Sequence, residues 1–139
     1  MSDLSDTGYW GRFGPDSIER RMLRAVERDV GLRLRPRALV LGGGSRVEVE
    51  GISDDETVIA QLIANQGAYK PAFRNKALAD MFKLLWVRSQ LPAAERAVLI
   101  VTAEVTPALG GWVAVAAHDL GVEILVFADD TVRPLTASL

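Results

Sequence analysis

The hydrophobic positions of this chain change period from one segment to the next. In the stretch "PDSIERRMLRAVERDVGLRL", Ile18, Met22, Val26 and Val30 recur every four residues, the apolar stripe of a helix. Asp16 is the expected N-cap, with Glu19 three residues on as in a capping box, and Gly31 the expected stop. The period then shortens. "RALVLGGGSRVEVEGISDDETVIAQLIAN" predicts three strands separated by turns at "GGGS" (42–45) and "SDDE" (53–56). Pro71 opens a second, longer helix, "PAFRNKALADMFKLLWVRSQL", and Pro92 closes it. Two continuous apolar runs follow, "RAVLIVTAE" (96–104) and "VEILVFAD" (122–129), each typical of a strand buried on both faces. Between them Thr106 is the expected cap and Pro107 the first residue of a helix that passes through Trp112 and Ala116 to Gly121.

The predicted order is therefore helix, three strands, helix, strand, helix, strand. Two buried strands joined by a helix imply a parallel pair with a right-handed crossover. The antiparallel meander before them makes the sheet mixed, in an α/β fold. A chain of 139 residues suffices for one domain, read as 1–139, with residues 1–14 a loose arm. The arm's aromatics, Tyr9, Trp10 and Phe13, are suited to fasten it to the core or to a partner chain.

Composition narrows the class. Hydrophobic residues at 49% and charged residues at 24% suit a soluble globular protein. The absence of cysteine removes disulfides, thiolate metal sites and thiol nucleophiles, and makes a cytoplasmic setting the expectation. The polar N-terminus does not read as a signal peptide, and no apolar run is long enough to span a membrane. Charge is unevenly spread. Residues 12–37 hold eight arginines against four acids, a balance of +4, whereas residues 92–139 hold two arginines against six acids, a balance of −4. Such polarity suits a protein that sets one face on a polyanion.

Candidate chemistry centres on "VEVEGISDDETVIAQLIANQG". Glu50 ends one strand and Gln61 stands on the next, where a second carboxylate would complete a metal site. Glu48 shares the sheet face of Glu50 because the strand period is two. On the long helix, Lys76, Asp80 and Lys83 fall within an arc of about 60°. Asp54, Asp55 and Glu56 read as a solvated acidic turn, and "GGGS" as a hairpin turn, since no lysine–serine/threonine pair follows it in phosphate-loop register. His118 is the sole histidine and sits near a helix end, where a cation favours the dipole.

The element order and the "VEVEG … VIAQLIA … NKALADMFKLLWV" stretch resemble the PD-(D/E)XK, or restriction-endonuclease-like, nuclease superfamily over roughly residues 16–128. The resemblance implies an α-β-β-β-α-β core. It places Glu50 at the first acid of the motif, Gln61 at the second acid and Ile63 at the motif lysine. The helix resembles that of small bacterial relatives with a lysine, an aspartate and a second lysine at this spacing. What it implies is a Mg²⁺- or Mn²⁺-dependent endonuclease of DNA, ordinary or branched, working as a homodimer. Glu50 is then the main metal ligand and Gln61 a weaker one through its amide oxygen. Lys76 stands in for the missing strand lysine, and Asp80 orients it. Arg20, Arg24, Arg28, Lys70, Arg74 and Lys83 are the expected phosphate contacts. The alternative is a non-catalytic module of the same fold that binds DNA or a protein partner.

Overall fold

The computed structural model describes residues 10–135. Residues 1–9 and 136–139 lie outside the described residues, and with them Tyr9 and most of the expected arm.

A mixed six-stranded sheet in the order β1 to β6 carries the fold. The strands β1 (Leu34–Leu41), β2 (Ser45–Ser53) and β3 (Val58–Ile63) form the expected antiparallel meander. Next come β4 (Arg96–Thr102) and β5 (Val122–Ala128), which extend β3 in parallel, and β6 (Thr131–Pro134), which turns back antiparallel to β5. Helix α1 (Ile18–Val30) packs on one face of the sheet, with Met22, Leu23 and Val26 against Val58, Ala60 and Leu62 of β3. Helices α2 (Ala72–Gln90) and α3 (Trp112–Asp119) pack on the other, against Ile59 and Ile63. Period-two alternation along β3 thus feeds two cores, and it turns Gln61 towards α2.

The structure moves several expected boundaries. Ser17, not Asp16, caps α1, its hydroxyl accepting the Arg20 amide at 3.1 Å. Gly31 does end the helix, in a left-handed conformation at φ 76°. Thr106 and Pro107 belong to a 3-10 segment, Ala103–Leu109, and the α-helix starts only at Trp112. β6 was not expected, because "TVRP" is short, polar and ends in proline.

The described end of the arm is tied down. Trp10 and Phe13 are both buried in the α1-side core, and the Phe13 amide closes a turn onto the Trp10 carbonyl at 2.9 Å. The acidic turn is equally well satisfied. Asp55 Oδ1 accepts from the Ser53 hydroxyl and from the amide and hydroxyl of Thr57, which holds its carboxyl below the usual carboxylate range. Asp54 pairs with Arg33 and Glu56 with Arg37.

The candidate active site

The site forms where β2 and β3 part. Their ladder is paired at Gly51–Ala60 and Ile52–Ile59. Beside it the register of β2 on β1 shifts, between Arg35–Ile52 and Arg37–Val49, so Glu50 and Gly51 bulge opposite Pro36. Proline offers no amide to a ladder, and a bulge re-aims the side chains it carries. Gly51 also admits α1 closely: a Cβ there would lie 2.8 Å from a methyl of Leu23.

Beyond Gly51 side chains replace the ladder. The Glu50 amide donates to Gln61 Oε1 at 2.9 Å, and the Leu62 amide donates to Glu50 Oε1 at 2.8 Å. Gln61 Nε2 donates in turn to Asp80 Oδ1 at 3.2 Å, and Lys76 Nζ donates to Asp80 Oδ2 at 2.8 Å. A continuous chain therefore runs from the α2 ammonium to the β2 backbone. Gln61 and Asp80 are nearly sealed, at 2% and 4% exposure. Lys76 is half-exposed at the mouth.

Above this chain opens a cleft of about 230 Å³ lined by Glu50, Lys76, Glu19, Asn65 and the β3 end. The Thr102 hydroxyl bonds the Asn65 carbonyl and anchors the β3 exit to β4. Burial raises the pKa of the Glu50 carboxyl; the Leu62 amide, Lys76 and Arg12 oppose that rise, while Asp80 adds to it. Ile63 borders the cleft, but its side chain is 1% exposed and belongs to the α2-side core. It has no room for the charged end of a lysine.

Sequence reasoning placed Glu50, Gln61, Lys76 and Asp80 together, and these four are contiguous. Gln61 differs in detail, because both ends of its amide are engaged within the protein. The six expected phosphate contacts do not share one surface. Arg20 is buried beneath the Trp10 ring, 4.3 Å from its centroid, and Arg24 lies 5.5 Å from the same ring. Arg28 donates to the Asp130 carbonyl. On the opposite face Arg74 donates to the carbonyls of Ala108 and Gly110 and lies over Trp112. Lys83 donates to the Glu48 carbonyl at 3.2 Å, and Lys70 is exposed ahead of α2. One contributor went unforeseen. Arg12 pairs with Glu48 and, at 2.8 Å, with Glu50. Its flanking aromatics were the available signal, since two buried rings fix the turn that presents it.

These features define a restriction-endonuclease-like fold, a mixed sheet flanked by helices with a polar cleft at the splayed strands. Among solved structures the chain is similar to an XisH family protein from Nostoc punctiforme, with a TM-score of 0.57 over 86% of this chain and 98% of that one. The two share 12% sequence identity, so the likeness carries the fold alone. No family model matches the chain, and no curated protein matches it in sequence.

Proposed function

We propose that the protein is a metal-dependent endonuclease of DNA whose chemistry lies in the Glu50–Lys76 cleft. One observation carries the reading: a largely buried carboxylate and an ammonium fixed by an internal acid line the same cleft. Among the described residues no three histidine, cysteine or acidic side chains are grouped as a metal cage. The donors instead suit Mg²⁺ or Mn²⁺, which take one or two carboxylates and fill their shell with water and substrate phosphate. Glu50 would hold the ion. Gln61 acts as a positioning residue, with its oxygen already accepting the Glu50 amide. Such an ion supplies Lewis acidity towards a phosphate oxygen and lowers the pKa of bound water.

The chain's own groups do the rest. Asp80 holds Lys76 Nζ at 2.8 Å, so the ammonium faces the cleft at little further cost in side-chain entropy. There it orients a water and stabilises negative charge developing on phosphate oxygens. Gln61 fixes Asp80 and the Glu50 backbone in one unit, so the amine and the carboxylate keep their separation. Lys70 and Lys83, on the same side of the sheet as Lys76, guide the backbone of the DNA.

The test is incubation with labelled linear, nicked and four-way DNA in Mg²⁺, Mn²⁺ or chelator. Cutting that needs the ion and disappears in Glu50→Gln supports the reading. Salt-sensitive binding with no cutting under any ion selects the non-catalytic module.

A further inference from the structure

We propose that Arg12 is an internal stand-in for the divalent ion: its guanidinium and the ion exclude one another at Glu48 and Glu50. The inference rests on the reading of the cleft as a cation site. In the sequence Gln61 stands where a second carboxylate would complete the site, and Glu48, on the face of Glu50, is the other candidate for a second acid. The structure brings the carboxylate of Glu48 to the same guanidinium that Glu50 holds. Two carboxylates that meet one cation converge on one place. Their joint charge of −2 is only half balanced by an arginine, whereas a divalent ion balances it fully. Lys76 does not make up the difference, because Asp80 pairs with it directly.

The build of the turn suits exchange. Its backbone is pinned, with Trp10 and Phe13 buried on either side of Arg12 and Gly11 at φ +55°. The Arg12 side chain lies over the Phe13 ring, 5.0 Å from its centroid, yet is 56% exposed. It can swing into water while the core stays in place. Solvent screens its pair with the exposed Glu48, and on its own side it screens the pair with Glu50, so a divalent ion has less to displace than at a sealed ion pair.

The experiment is Mn²⁺ binding to the full chain at low salt, followed by the loss of the free-ion electron paramagnetic resonance signal. Wild type, Arg12→Gln, Arg12→Lys, Glu48→Gln and Glu50→Gln are compared after melting curves confirm folding. Arg12→Gln should bind Mn²⁺ about three- to tenfold tighter than wild type. Arg12→Lys, which keeps the charge but not the fork, should fall between them. Glu48→Gln and Glu50→Gln should each bind more weakly. Arg12→Gln binding no tighter than wild type, while Glu50→Gln loses the ion, would overturn the exchange and leave the cation site standing. No Mn²⁺ bound by wild type or Arg12→Gln would remove the cation site itself, and the exchange with it.

Discussion

Gln61 reaches across the gap between β2 and β3 and accepts the amide of Glu50 at 2.9 Å. The other end of its amide donates to Asp80, so one buried side chain joins the two strands to α2. A carboxylate at this position could do only half of that work, because it has no donor for Asp80 at neutral pH.

Gln61→Glu should therefore weaken the fold instead of completing a metal site. The substitution faces a buried acid with another acid and removes a satisfied donor. A loss of about 1–3 kcal/mol is expected in urea unfolding at neutral pH, shrinking as the medium is acidified. An unchanged midpoint would show that the amide bridge carries no stability.

Glu50 gives a pH signature. Its pKa is raised chiefly by burial, so the folded state takes up the proton more readily than the unfolded chain. The stability this confers is full below the ordinary glutamate value, about 4.3, and is lost as pH rises through the elevated one. Glu50→Gln stays neutral and still accepts the Leu62 amide. It should be more stable than wild type at neutral pH, and that advantage should vanish near about pH 4. Paired chemical denaturation at the two pH values checks the sign.

The outer side of α2 and α3 predicts a dimer. Phe82, at 76% exposure, and Trp112, at 62%, border an apolar groove of about 160 Å³ between these helices. An exposed apolar surface of this kind marks an association site. Light scattering should give about twice the chain's 15.1 kDa, and Phe82→Glu with Trp112→Glu should restore the single-chain mass. A wild-type mass of one chain at every concentration would remove the dimer.

What the sequence disclosed follows from the range of each signal. The pairing of Lys76 with Asp80 obeys helix period, and the facing of Glu50 and Gln61 obeys strand period, so both were legible. The bulge at Glu50–Gly51 was not, because it depends on Pro36 lying opposite, fifteen residues away. The Arg12 contacts were hidden for the same reason: they span the interval to residues 48 and 50. Of the α1 arginines, Arg20 departs from the expected face for a local reason, while Arg24 and Arg28 stay exposed. Their spacing reads as a basic helix face, yet Trp10 folds over that face and takes Arg20 out of solvent.

The most direct test compares two lysines of α2 in the metal-dependent cleavage of labelled DNA. Lys76 lines the cleft, whereas Lys83 bonds the Glu48 carbonyl outside it. Each change to alanine removes one positive charge from the same helix. Lys76→Ala should lower kcat by about 10²–10⁴, the range of a lost proton-handling or charge-stabilising group. Lys83→Ala should chiefly raise KM, as loss of a phosphate contact does. Equal effects of the two changes on kcat, or cleavage by Lys76→Ala at the wild-type rate, would contradict the assignment of the chemistry to this cleft.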